Sequence, residues 1–237
     1  MVPIKKMTII VAGKMGTQKK NAEARVYQKL KHAITKRYIK QGSKLVEDAI
    51  ARQIGVSRTP VRAAIKRLEL EGFADFVPNK GAVVIKPTLA EIEQTFAVRA
   101  HMEKMGADLA ARTINEKQVA ELHRLVEEEK KVFDARRLDD YYQVNAAFHL
   151  KIAEAGGNGV LYQYIEQLLE RTKIHLILFD PFFKFVVNPS AAEHSAIVAA
   201  LAAHDPHRAV LAIEAHLKSA LKELDTQELI PEDYIAL

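Results

Sequence analysis

The 237-residue sequence contains no cysteine. That excludes a disulfide framework, a thiolate metal site and a cysteine nucleophile, and it points to a reducing compartment, with the cytoplasm as the expected location. Long apolar runs are also missing. The greasiest stretches, Ile174 to Phe179 and Ile197 to Ala203, fall far short of the roughly 18 residues of a membrane-spanning helix, so no membrane partner is expected. The segment Met7 to Gly13 is short for a signal core and runs into Lys14, Lys19 and Lys20, where a cleavage site would stand. Aromatic residues are few in the first third, which leaves little of the apolar face that a membrane-surface helix sets beside its charges.

Charge, by contrast, is plentiful and uneven. Residues 1–88 hold 19 Lys and Arg against 6 Asp and Glu, and the remainder holds 16 against 24, so the net +5 divides into +13 and −8. A basic third of this kind calls for a polyanionic partner, with double-stranded DNA the first candidate.

Residues 1–22 collect Lys, Gly and Gln without durable periodicity and are expected to form a flexible tail. From Glu23, Val26, Leu30, Ile34 and Ile39 recur as one buried helix face. After Gln41-Gly42-Ser43, the residues Leu45, Ala49, Ile50 and Ile54 mark a second helix that ends at Gly55. A third follows Ser57, a suitable N-cap, with Pro60 in its first turn, where a missing donor is harmless. Its inward stripe is Val61, Ala64, Ile65 and Leu68, which leaves Arg58, Thr59, Arg62, Lys66 and Arg67 outside. Phe73 to Phe76 and Ala82 to Ile85, on either side of Pro78-Asn79-Lys80-Gly81, read as a β-hairpin. Three helices and a hairpin make a winged helix-turn-helix.

The run Gly55-Val56-Ser57-Arg58-Thr59-Pro60-Val61-Arg62-Ala63-Ala64-Ile65, followed by Arg67-Leu68-Glu69 and Glu71-Gly72, resembles the DNA-binding signature of GntR-family transcription regulators over about residues 23–88. The resemblance implies that the third helix enters the major groove and that the wing approaches the minor groove. It also implies DNA contacts from Ser57, Arg58, Thr59 and Arg62, with Lys80 and Gly81 at the wing tip. Arg suits the paired acceptors of guanine, and Ser or Thr suits a phosphate near the positive helix end. Asp48 stands where some relatives carry a basic DNA contact, so base preference does not transfer.

Beyond Pro87-Thr88 the pattern is helical almost throughout, beginning with a Thr88-x-x-Glu91 capping box and a helix to Arg112 with Ile92, Phe96, Met102 and Leu109. Further helices are expected over Glu116–Ala135, Leu138–Ala155, Leu161–Phe179, Ala191–Ala203 and His207–Leu224. The expected fold is therefore mainly α: an N-terminal winged helix-turn-helix with a small β-hairpin over 23–88 and a C-terminal all-α helical bundle over 89–228.

Asn145 and His149 lie four residues apart, about 400° around a helix, and so project from one face. His194 and His216 sit on two later helices, so three imidazoles can converge. Neutral imidazoles with one oxygen donor suit a divalent transition metal, zinc foremost, with nickel, iron or manganese as alternatives. The set Asn145-x-x-x-His149, Gly157-Asn158, Glu193-His194-x-x-Ile197 and His216 resembles the all-helical FCD effector domain of the FadR branch of GntR regulators, over about residues 92–224. The resemblance implies metal ligation by these four residues beside a small-molecule pocket, with Asn145 replacing the usual Asp by a weaker, neutral donor. It also implies that Arg99 faces the cavity; a buried guanidinium needs an anion, from Glu103 or from a ligand carboxylate. Arg171 and His175 share a helix face and either line the same pocket or form an exposed pair.

The expectation is thus a homodimeric DNA-binding repressor, not an enzyme, controlled by a small-molecule carboxylate beside a metal. A metal-sensing repressor without an organic effector and a metal-dependent enzyme tethered to DNA are the rivals.

Overall fold

In this computed structural model the described residues are 22–36, 38–179, 182 and 185–224. The tail expected over 1–22 lies outside them apart from Ala22, and so do residues 225–228. The chain divides into two compact units, Met1–Lys86 and Pro87–Leu237. The described residues form nine helices and one two-stranded sheet, so the fold is mainly α as the periodicity indicates.

In the first unit, helix α1 covers residues 22–35 and buries Val26, Tyr27, Leu30 and Ile34. Ile39 falls beyond its end, half-buried in a bend, and is not part of that face. Helix α2 (Glu47–Ile54) starts later than Leu45 suggests, because the preceding segment pairs with the hairpin instead. Leu45 N donates to Ala82 O at 2.8 Å, Val84 N donates to Ser43 O at 2.9 Å, and Lys44 bridges Val83. Gly55 then closes α2 at φ 74°, a left-handed turn that glycine adopts without a Cβ penalty.

Helix α3 (Arg58–Leu70) buries Val61, Ala64, Ile65 and Leu68, the stripe expected from the sequence, and Pro60 besides. Ser57 occupies the N-cap in an extended conformation, but its hydroxyl makes no cap hydrogen bond. The third helical position is Pro60, which has no N–H to offer, so the usual cap partner is missing. The hairpin consists of β1 (Ala74–Val77) and β2 (Gly81–Val84), antiparallel in the register Ala74 to Val84 and Val77 to Gly81. Both strands are displaced by one residue from the sequence reading. Phe73 N is taken by Leu68 O at the end of α3, and Gly81, at φ 82°, already pairs with Val77.

The second unit is a bundle of α4 (Leu89–Thr113), α5 (Glu116–Asp134), α6 (Leu138–Ala155), α7 (Gly159–Phe179), α8 (Pro189–Ala202) and α9 (Pro206–Glu223). Helix α4 opens on the expected capping box: Glu91 N donates to Thr88 Oγ1, and Thr88 N donates to Glu91 Oε2 at 2.8 Å. Helices α7, α8 and α9 begin one or two residues before the apolar pattern does. In α8 and α9 a proline fills the first position and Asn188 or Asp205 caps it. Helix α4 is central, packing against α6, α7, α8 and α9. Its small residues Ala107, Ala110 and Ala111 meet Ile197, Leu201, Ile213 and Leu217, with Phe148 and Ile152 of α6 in the same core. Met102 and Leu109, expected on the buried face, are only partly covered; Thr95, Arg99, Glu103 and Gly106 lie there instead.

Candidate functional site

The first unit presents the basic start of α3. Ser57, Arg58, Thr59 and Arg62 are exposed, Lys80 is exposed in the hairpin turn, and Gly81 opens β2 half-buried. Two acidic residues in the first turn of α2 engage the arginines. Arg62 donates from Nε and Nη2 to the two carboxylate oxygens of Glu47, at 2.9 and 2.8 Å. Arg58 Nε lies 2.9 Å from Asp48 Oδ1 and 3.9 Å from Glu47 Oε2. The hydrogen bond from Arg62 holds the Glu47 carboxyl below its ordinary pKa. Every expected DNA-contacting side chain thus belongs to one unit, and two of the arginines are paired.

The second unit brings three of the four expected metal ligands together. His149 of α6, His194 of α8 and His216 of α9 are all buried, and one ring nitrogen from each lies within 4.8 Å of the others. Each imidazole turns its Nδ1 toward a different glutamate. His194 Nδ1 donates to Glu129 Oε2 and His216 Nδ1 to Glu193 Oε2, both at 2.8 Å, and His149 Nδ1 sits 2.7 Å from Glu103 Oε2 in a bent contact. A carboxylate on Nδ1 keeps the proton there and leaves Nε2 with its lone pair, which is how metal-binding imidazoles are commonly oriented. His194 Nε2 and His216 Nε2 then face each other at 3.3 Å, and buried His149 Nε2 has no hydrogen-bond partner. That separation matches the about 3.0–3.4 Å between two nitrogens held at about 2.1 Å on one ion. The residues fit a divalent metal. Asn145, one turn before His149, is buried and lines the adjoining cavity, so it is positioned on the right face of α6.

Electrostatics agree with neutral imidazoles at His149 and His216. Burial lowers His149 to about 3, with the Glu103 charge opposing and the Arg99 charge reinforcing the shift. Burial, followed by the neighbouring His194, lowers His216. Burial pushes Glu103 up, but the Arg99 charge, with the hydrogen bond that Arg99 donates, outweighs it and holds the carboxyl well below its ordinary range.

Arg99 is buried on α4, donates from Nε to Glu103 Oε1 at 2.5 Å, and keeps Nη2 without a hydrogen-bond partner. The internal pair with Glu103 therefore exists and one donor stays unsatisfied; Arg99 also lines a cavity with Asn145, His216, Tyr142, Leu176 and Phe182. This cavity holds about 30 Å³, the share of roughly one water molecule. Arg171 and His175 belong to neither sequence alternative. Neither residue lines the cavity; Arg171 is exposed, whereas His175 is buried and, through that burial, lowered to about 4.

Glu129 escaped the sequence reading altogether, and the parts that Glu103 and Glu193 play beside imidazoles were not recognised. A signal existed. Glu129 sits in the apolar stripe Leu122, Leu125, Val126, Glu129, Val132, Phe133, and Glu103 sits likewise between Phe96, Arg99, Ala107 and Ala110. A carboxylate at a core position needs a partner, and these two find imidazoles.

A winged helix and an all-helical bundle with a buried histidine cluster, carried on one chain, define a two-part regulator architecture. Residues 94–219 match the FCD domain and residues 22–84 match the bacterial regulatory proteins of the gntR family, so the chain belongs to the GntR family and carries an FCD domain. It is similar to the HTH-type transcriptional regulator McbR of Escherichia coli, 28% identical over 142 residues, which is 60% of this chain and 64% of that protein. The HTH-type transcriptional repressor RspR of Escherichia coli is 27% identical over 143 residues, 60% of this chain and 63% of that protein. These alignments span just under two thirds of either relative. Among solved structures, Escherichia coli McbR/YncC superposes with a TM-score of 0.61 at 23% identity, covering 87% of this chain and 98% of that one. Lar, which controls the expression of the Listeria monocytogenes agr system, superposes with a TM-score of 0.65 at 21% identity, covering 85% and 95%. These likenesses establish the fold. The matching families and relatives are regulators rather than enzymes. No helix among the described residues is long and apolar enough to cross a membrane.

Proposed function

We propose that the chain is a sequence-specific transcriptional repressor that binds a pseudo-palindromic operator as a homodimer, with an affinity set by a small organic acid bound beside a metal. Family membership supports the DNA-binding part, together with a recognition helix whose outer face is Arg58, Thr59 and Arg62. The observation that carries the effector part is the convergence of His149, His194 and His216 beside a cavity lined by Arg99, which keeps an unsatisfied donor. These three histidines, with Asn145, would hold a divalent transition metal; zinc suits the nitrogen-rich set best. When bound, the ion supplies a Lewis-acidic centre for a carboxylate. Arg99 Nη2 supplies a charged donor to the same anion, and Glu129, Glu193 and Glu103 hold the imidazoles in register.

A cavity of about 30 Å³ admits no organic acid as it stands, so an effector must displace cavity-lining side chains such as Leu176 and Phe182. That displacement provides the difference between two states through which a ligand can alter DNA affinity. The same small volume favours one further reading, in which the metal is itself the signal. Metal analysis of the purified protein tests the centre, with His149→Ala and His194→Ala alongside. About one ion per chain, lost in both variants, is expected, and a metal-free wild type after incubation with zinc, nickel or manganese overturns the site. Carboxylic acids that alter operator binding only in the loaded protein then separate the effector reading from metal sensing.

A further inference from the structure

Arg58 and Arg62 both extend from the start of α3, with side chains 60% and 69% exposed, yet the first turn of α2 holds them differently. Asp48 meets Arg58 at Nε, 2.9 Å away, with no paired hydrogen bonds along an edge. Glu47 takes a whole edge of Arg62, two parallel N–H to oxygen bonds at 2.9 and 2.8 Å through Nε and Nη2. A guanidinium has a second such edge, formed by Nη1 and the other hydrogen of Nη2. With the first edge fixed, the plane and direction of the second are fixed too, and among the described residues Nη1 has no partner. Two parallel donors in a defined plane are what guanine O6 and N7 require.

Glu47, in the first turn of α2, suits that helix's positive end, but it also stands beside the basic face of α3. A carboxylate beside the basic face repels phosphates, so on charge alone it weakens DNA binding. Resting on the DNA-binding reading above, we propose that Glu47 is a specificity-determining positioning residue: it clamps Arg62 along Nε and Nη2 so that the opposite edge reads a guanine in each half-site. Arg58, tethered at one nitrogen, follows the backbone and contributes affinity without the same selectivity.

The test uses the full-length chain and duplexes selected by it from a random double-stranded library. Each guanine of the selected half-site is then replaced by 7-deazaguanine, which lacks the N7 acceptor, and affinity is measured by fluorescence anisotropy. One replacement is expected to cost the wild type about tenfold, within the range of a bidentate contact. Arg62→Ala should abolish that penalty, and Glu47→Ala should reduce it to about twofold while binding non-specific duplex at least as tightly as the wild type. Glu47→Gln, which keeps the shape and one acceptor, should fall between them. Asp48→Asn removes an equal charge from the neighbouring position and should keep the full penalty. Glu47 variants that tighten binding to all sequences and keep the penalty would show a merely inhibitory ion pair and overturn the proposal, as would a penalty that survives Arg62→Ala. A wild type that enriches no sequence refutes the DNA-binding reading itself, an outcome distinct from either.

Discussion

His194 Nε2 and His216 Nε2 face each other at 3.3 Å, while the opposite nitrogen of each ring is held by its own glutamate. The proposed metal would sit between the rings and stabilise this buried contact, and without it two acceptors would stand opposed. Chelation is therefore expected to lower the melting temperature, and re-addition of zinc to restore it, because a ligand that binds only the folded state stabilises it by mass action. His216→Ala should melt at the same temperature with and without chelator. Differential scanning fluorimetry reads both.

Glu129 is 1% exposed and touches the centre only through His194. Glu129→Ala should leave the three ligands in place but lower metal affinity about 10–100-fold, the usual cost of losing an outer partner. Competition against a chromophoric chelator measures it, and unchanged affinity would mean that the imidazole is oriented by packing on Phe148 alone, with ring centroids 4.1 Å apart.

His175 gives a pH dependence independent of the metal ligands. Its folded-state pKa is lowered from 6.5 to about 4, by burial first and the Arg171 charge second. In the unfolded chain it protonates near 6.5, so between these values the unfolded state binds the extra proton and stability rises with pH. The contribution is complete above about 6.5 and is lost as pH falls toward about 4. Urea titrations of wild type and His175→Leu across that window should diverge, the wild type losing more stability on acidification; parallel curves would refute the assignment.

Lys80 is exposed at the hairpin turn. Lys80→Ala should weaken binding about equally on all duplexes and reduce the slope of log affinity against log salt by about 1, as expected for one lost phosphate contact. Anisotropy titrations over a series of salt concentrations supply the slope.

Gly156 ends α6 at an ordinary φ of −71°, but a Cβ there would meet Gly106 O and Leu109 Cβ, each at 3.1 Å. Gly156→Ala should therefore cost about 1–3 kcal/mol by forcing α4 and α6 apart. Chemical denaturation checks it, with Gly157→Asn, a residue tolerant of its φ of 70°, as a milder comparison.

Period and punctuation made the winged helix and the bundle legible before any coordinates. The stripe of Val61, Ala64, Ile65 and Leu68 and the capping box at Thr88 are local patterns, and local patterns survive folding. What failed was either long-range or competitive. Leu45 reads as helix, yet the hairpin claims its backbone across 37 residues. Ser57 reads as a cap, yet Pro60 removes the donor it needs. Three of the histidines were visible as candidates, whereas Glu129 lies 65 residues from His194 and shows itself only as a charge in an apolar stripe.

The charged groups around the imidazoles also have a formal sum. Counted as carboxylates, Glu103, Glu129 and the half-buried Glu193 carry −3 against +1 on Arg99, a formal −2 within the helical unit. Such a deficit would favour an ion by valence before ligand softness distinguishes elements. A monovalent ion leaves the interior one charge short, a trivalent ion leaves it one over, and a divalent ion brings it to zero. A carboxylate arriving at the proposed metal would unsettle that balance, and Arg99 Nη2, without a hydrogen-bond partner, is a donor able to answer it.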